Sequence, residues 1–103
     1  MLDSSEVRRY QKQIVLSAIG EGGQFKLKQA KVLCVGAGGL GSPALLYLAA
    51  AGVGHLGVID FDLVDESNLQ RQILFTTLDQ GKPKSDSARE RLRALNPHCE
   101  ITA

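Results

Sequence analysis

A chain of 103 residues is at most one domain, and a hydrophobic content of 44% suits a folded globular core. Twelve basic against eleven acidic side chains leave a formal net charge of +1, which excludes recognition of nucleic acid or of a membrane surface by bulk field. No apolar run approaches the roughly 18 residues needed to cross a bilayer and the N-terminus has no signal-peptide core, so the chain reads as soluble and cytoplasmic.

Residues 3–16 have the pattern of a short amphipathic helix. Asp3 with Glu6 three positions on resembles a capping box, and Val7, Tyr10 and Ile14 follow at helical spacing. Arg8, Arg9 and Lys12 make the rest of that surface basic. Gly20, Gly22 and Gly23 then mark a flexible turn, and Gln24 to Ala30 form a second short helix with Phe25 and Leu27 partly buried.

Lys31 to Asp60 is the stretch around which the rest is organised. Val32, Leu33, Cys34 and Val35 are four consecutive apolar residues, the signal of a buried strand. Gly36-Ala37-Gly38-Gly39-Leu40-Gly41 follows and fits G-x-G-x-x-G, where glycine permits a tight turn and close approach of the backbone to a phosphate. The next helix directs its free N–H groups and positive dipole end at that turn. Pro43 is acceptable in this helix because it falls in the first turn. Ala44, Leu45, Leu46, Leu48, Ala49 and Ala51 make it apolar on most sides, and Gly52 is suited to a left-handed C-terminal cap. A second strand, Leu56 to Ile59, ends at Asp60, roughly 20 residues beyond the turn, where an acidic side chain usually holds a ribose hydroxyl.

Phe61 to Gln72 has no clean period and reads as an irregular loop with one helical turn near Ser67 to Arg71, of the kind that carries function. Gly81-Lys82-Pro83-Lys84 is a second turn. Ser85 or Asp86 caps a helix bearing Ala88, Leu92 and Leu95 on one face, Asn96-Pro97 stops it, and Glu100 to Ala103 begin a third strand. The fold class is therefore α/β: a Rossmann-like parallel sheet with flanking helices, of which the first half, about three strands, is present. Residues 1–30 form an N-terminal helical segment and residues 31–103 the first half of a Rossmann-like nucleotide-binding domain. The chain is expected to be the N-terminal part of a longer protein.

The glycine turn between strand and helix, with Asp60 beyond it, is strong evidence for a nucleotide site, and on that alone a nicotinamide or flavin enzyme is the default. Asn68, Arg71 and Lys84 disturb the default. They lie on segments after the second strand, displaced toward the same sheet edge as the glycine turn. A dinucleotide's pyrophosphate is held by backbone N–H groups, whereas a triphosphate carries more charge and needs cations. Arg71 can grip phosphate bidentately, Lys84 as a point charge and Asn68 as a neutral donor. No G-x-x-x-x-G-K-[ST] occurs, which excludes a P-loop NTPase. His55 and His98 read as loop residues without partners. Cys34 and Cys99 form neither a C-x-x-C pair nor a disulfide, and Cys34 is a poor nucleophile on a buried strand. A non-catalytic module that works by association with another chain is the third functional class considered.

RYQKQI at 9–14, GAGGLGSP from Gly36, YLAAAGVG at 47–54, DFD at 60–62, SNLQRQ at 67–72, GKPKS at 81–85 and LNP at 95–97 run in the order found in the MoeB/ThiF/HesA proteins, bacterial relatives of ubiquitin-activating enzymes. The resemblance covers the chain from about residue 6 onward. It implies an adenylyltransferase that uses ATP and Mg²⁺ to activate the C-terminal Gly-Gly carboxylate of a ubiquitin-like sulfur carrier, for molybdopterin, thiamine or related biosynthesis. By position it implies that Gly36, Gly38, Gly39 and Gly41 lie against the nucleotide, that Asp60 holds its ribose and that Asp62 is a further cofactor-binding residue. Asn68, Arg71 and Lys84 hold the triphosphate, with Arg71 and Lys84 as the catalytic cations, and Ser67, Leu69 and Gln70 belong to the same cofactor-binding set. It also implies a homodimer in which position 12, often arginine in the family, reaches the partner's ATP; Lys12 keeps the charge there without the fork. The family's main Mg²⁺ ligand, carrier-docking surface and zinc-binding cysteines are expected beyond residue 103, and these residues alone are not expected to catalyse adenylation.

Overall fold

The computed structural model describes all 103 residues. Its elements in order are α1 (Ser4–Arg9), α2 (Gln11–Ile14), α3 (Gly20–Gln29), β1 (Lys31–Val35), α4 (Gly41–Ala51), β2 (His55–Ile59), two single 3-10 turns (Glu66–Asn68 and Thr77–Asp79), α5 (Lys84–Leu95) and β3 (Glu100–Thr102). The three strands form one parallel sheet in the order β1-β2-β3. Lys31 pairs with His55 and Val35 with Ile59 across β1 and β2, while His55 pairs with Glu100 and Leu56 with Ile101 across β2 and β3.

Parallel neighbours need crossover helices, and right-handed crossovers that advance in one direction put both helices on the same face. Here α4 and α5 pack together, α4 on β1 and α5 on β2 and β3. Leu56, Val58 and Ile101 point into the core they enclose, where they meet Leu45, Ala49, Leu74, Phe75, Ala88 and Leu92. The opposite face is open: Leu33 is 60% and Val35 77% exposed, and β1 alternates between exposed and half-buried positions. A four-residue apolar run thus does not make β1 a buried strand here, because helices cover only one side of the pleat.

The N-terminal segment also departs from the sequence reading. Its amphipathic stretch breaks at Tyr10 into α1 and α2, although the Asp3–Glu6 capping box forms as expected, with Glu6 N donating to Asp3 Oδ1 at 2.8 Å and Asp3 N to Glu6 Oε1 at 3.1 Å. Gly20, Gly22 and Gly23 do not form a flexible turn but open α3. Glycines weaken a helix by about 1 kcal/mol each; what offsets them is tertiary. Gln24, fully buried, donates from Nε2 to Ala51 O at 2.9 Å, and Gln13 Nε2 bonds both Gln24 Oε1 at 2.6 Å and Ala51 O at 3.0 Å.

These bonds cap the C-terminal end of α4, whose last carbonyls have no partner within the helix. Fully buried Asn96 does the same from the far end of the chain, with Nδ2 donating to Ala49 O and to Tyr10 Oη at 2.7 Å each and Oδ1 accepting from His98 N at 3.0 Å. Gly52 closes α4 at φ +100, and a Cβ there would stand 2.4 Å from Gln24 Nε2 and 2.8 Å from Tyr10 Cζ. Asn96→Ala is expected to cost about 3 kcal/mol, because buried polar partners lose their bonds at once, and to lower Tm by roughly 15 °C. Thermal unfolding followed by circular dichroism checks this; a Tm unchanged within 3 °C or so would refute it.

Two smaller corrections concern α5 and His55. Neither Ser85 nor Asp86 caps α5: the helix begins at Lys84 after Pro83, which has no capping side chain, and Pro83 is held in an antiparallel bridge to Leu63. His55 is the first residue of β2, not a loop residue.

Candidate functional site

The carboxyl ends of β1 and β2 and the start of α4 converge on the glycine turn. Gly36 N donates to Ile59 O at 2.7 Å, carrying the β1–β2 ladder one step past the strands. Beyond it Asp60 takes over, accepting on Oδ2 from Ala37 N at 2.8 Å and on Oδ1 from Asp62 N at 2.8 Å. Each carboxylate oxygen has a second lone pair, so Asp60 can fix the turn and still accept from a ribose hydroxyl. Behind the turn, Ser42 donates from Oγ to Ala37 O at 3.0 Å and from N to Gly38 O at 2.8 Å. Gly41 brings α4 hard against β1, since a Cβ there would lie 2.1 Å from Gly36 O. The turn is thus tied from both sides before any ligand is considered, and the N–H groups of Gly38, Gly39, Leu40 and Gly41 are left without acceptors in the chain.

The segment after β2 folds back over this turn. Asp65 caps the 3-10 turn Glu66–Asn68 by accepting from Ser67 N and Ser67 Oγ, and these bonds, assisted by the charge of Lys84, hold its carboxyl below the usual range. Arg71 N and Gln72 N both donate to Asn68 O, at 3.2 and 2.9 Å. This winding brings Arg71 Cδ and Nε to 3.8 Å from the position a Cβ on Gly39 would take. Arg71 Nη1 also donates to Ser67 O at 3.4 Å, so the guanidinium lies between the loop and the turn.

Lys84 arrives by a different route. Its backbone N donates to Asp62 O at 2.9 Å, which ties the start of α5 to the tip of β2. The residue is only 6% exposed and makes no ion pair with any carboxylate of the chain. A lysine withdrawn from water with no carboxylate in contact, Asp65 acting on it only from longer range, suits an anion that comes from elsewhere.

The other residues named from the sequence are distributed less evenly. Ser67 and Gln70 are exposed, Asn68 is half-buried, and Leu69 packs on the core. Asp62 contributes through its backbone. Lys12 is exposed on α2, whose neighbours are α1 and α3, and it is not brought to the glycine turn of its own chain. The sequence reading missed Gln72: its side chain is 4% exposed and its Nε2 stands 3.6 Å from where a Gly38 Cβ would be. The last residue of SNLQRQ was the available signal.

Nucleophilic side chains are absent from this constellation. Cys34 donates weakly from Sγ to Gly36 O at 3.3 Å, and burial pushes its thiol up; burial pushes Cys99 up to about 11. Both are thiols rather than thiolates at neutral pH. His55 bonds Thr102 Oγ1 and His98 bonds Ser5 Oγ, both on the sheet edge away from the glycine turn. The Mg²⁺ and zinc implied by the resemblance find no ligand set in these residues, since no three His, Cys, Asp or Glu side chains are grouped to hold a metal. A nucleotide fits better: glycines leave room for phosphates, Asp60 offers an acceptor, and two cations lack carboxylate partners. No helix is long and apolar enough to cross a membrane.

Comparison with known proteins shows which family and fold the chain shares. The family model described as "ThiF family" matches residues 10–103. The chain is 54% identical over 100 residues to the probable adenylyltransferase/sulfurtransferase MoeZ of Mycobacterium tuberculosis, which covers 97% of the chain and 26% of that protein. It is also 54% identical over 101 residues to the adenylyltransferase and sulfurtransferase MOCS3 of Culex quinquefasciatus, covering 98% of the chain and 23% of that protein. Among solved structures it is similar to Escherichia coli tRNA N6-threonylcarbamoyladenosine dehydratase, TcdA, in complex with ATP, at a TM-score of 0.91 and 32% identity over 99% of the chain and 41% of that structure. The chain therefore spans about a quarter of the length of the curated relatives it matches. With the glycine turn, Asp60 and the SNLQRQ loop in one place, and a family model that matches all but the first nine residues, the chain belongs to the ThiF family.

Proposed function

We propose that these residues form the nucleotide-binding part of an ATP-dependent adenylyltransferase that activates the C-terminal Gly-Gly carboxylate of a ubiquitin-like sulfur-carrier protein, for molybdopterin, thiamine or related sulfur transfer. The observation that carries the reading is the Arg71 side chain against Gly39, a cation at the mouth of a phosphate-sized turn. The names of the relatives MoeZ and MOCS3 support it, as does ATP in the TcdA structure.

On this reading the backbone N–H groups of Gly38 to Gly41, which have no acceptor within the chain, receive the phosphates and Asp60, steadied by Asp62, accepts from the ribose. Ser67, Asn68, Leu69 and Gln70 form the wall that holds Arg71 in position. A carboxylate oxygen of the carrier attacks the α-phosphorus, the bond from that phosphorus to the oxygen bridging to the β-phosphate breaks, and pyrophosphate leaves as the acyl-adenylate forms. Charge accumulates on the departing pyrophosphate, and Arg71 and Lys84 stabilise it there more than in the ground state. Residues 1–30 act as a helical segment outside the nucleotide-binding unit of residues 31–103. In a homodimer Lys12 approaches the partner's ATP.

Isothermal titration with ATP and with NAD tests the reading. The chain is expected to prefer ATP, and Arg71→Ala to weaken ATP binding about 10- to 100-fold through loss of charge-assisted hydrogen bonds. Preference for NAD, with Arg71→Ala indistinguishable from the parent, would refute it.

A further inference from the structure

Gln72 is buried without a hydrogen-bonding reason of its own. Its Oε1 is shielded from solvent and has no donor among the protein groups. Such an orphan lowers stability, and native chains keep few of them, so each calls for an explanation. The other end of the same amide supplies one. Nε2 lies beside Gly38, 3.6 Å from where a Cβ would be, under the turn that Arg71 flanks from Gly39. Gln72 N is anchored to Asn68 O at 2.9 Å and Gln72 O accepts from Phe75 N at 3.1 Å. The backbone on both sides is therefore fixed, and the side chain is carried inward while Gln70 and Arg71 remain exposed.

We propose that Gln72 is a further nucleotide-positioning residue, whose amide NH2 donates from beneath the glycine turn to a phosphate oxygen of the bound nucleotide. This rests on the ATP reading above. A phosphate offers acceptors only, so the NH2 end has to face it, and a glutamine there binds without adding a third positive charge beside Arg71 and Lys84. The unpaired carbonyl is the consequence: burying the amide so that one end meets the ligand leaves the other end without a partner. Stability and nucleotide affinity are in opposition at this position.

That opposition gives the test. Gln72→Met keeps the shape and removes both polar ends. It is expected to weaken ATP binding about 5- to 10-fold while leaving Tm unchanged or raising it by up to about 6 °C. Gln72→Glu keeps the shape but replaces the donor by a negative charge, and is expected to weaken binding more than methionine does. Titration calorimetry and thermal unfolding of the full chain read both quantities. ATP binding by Gln72→Met equal to the parent's would overturn the assignment while Arg71→Ala still tests the ATP reading independently. A fall in Tm alongside weaker binding would mark Gln72 as packing only, and full binding by Gln72→Glu would exclude a donor role. Failure of the parent chain to bind ATP would remove both proposals together.

Discussion

Replacing Gly54 with alanine is expected to destabilise this protein more than any other single methyl addition, by roughly 4 kcal/mol or a Tm fall of about 20 °C. An added Cβ would sit 1.6 Å from Lys28 O and 2.6 Å from Lys28 C, so the collision is with backbone and no rotamer can relieve it. The displaced segment is a junction. Gly54 N donates to Leu27 O at 2.9 Å, His55 N to Ala30 O at 3.2 Å, and Glu100 N to Gly54 O at 2.9 Å. Separating Gly54 from Lys28 therefore strains the link between α3 and β2 and the pairing at the start of β3 together. Total stability of a domain this size is about 5–15 kcal/mol, so the variant should retain only part of it. Urea unfolding monitored at 222 nm or so would report the loss; a midpoint equal to the parent's would show that the α3–β1 connection yields freely.

Gly41→Ala should have the largest effect on nucleotide binding. Its Cβ would lie 2.1 Å from Gly36 O and 3.5 Å from Cys34 Sγ, so the start of α4 must retreat from β1 by about 1 Å. That movement carries the Ser42 bonds to Ala37 and Gly38 away from the turn that Asp60 holds from the other side. A misplacement of about 1 Å in a positioned site can weaken its action about 100-fold, and ATP affinity should fall by that order. Gly39→Ala is the matched comparison. There the nearest atoms, Arg71 Cδ and Nε, are at an ordinary 3.8 Å, so stability should hold while the methyl group occupies space needed by phosphate. Titration calorimetry beside a melting curve separates the two. Parent-like ATP affinity in Gly41→Ala would refute the claim that α4 must touch β1 for the site to form.

Local sequence was sufficient wherever the determining interactions are local. The strand, turn, helix and strand from Lys31 to Asp60, the left-handed cap at Gly52, the Asp3–Glu6 capping box and the turn within SNLQRQ could each be read from a few adjacent residues. Propensity, capping and backbone sterics act over four or five positions, and these features need no more than that.

Contacts between distant parts of the chain decided the rest. Gly20 to Gly23 look like a turn because glycine disfavours helices; they open one because Gln24 is held by Ala51, 27 positions away. Tyr10 and Asn96 meet across 86 positions to complete the cap on α4, so neither residue alone declares its role. Leu33 and Val35 read as core, yet the packing of both crossover helices on one face leaves them in the open. Gln72 and Gln70 look alike in the sequence, and only the winding of the loop on Asn68 sends one inward and the other out. Burial and hydrogen-bond satisfaction belong to the assembled chain. The sequence therefore determined the strand, turn, helix and strand from Lys31 to Asp60 and where the glycine turn lies, while the tertiary structure decided how the N-terminal helices break and which side chains face the turn, because both depend on partners that the sequence separates.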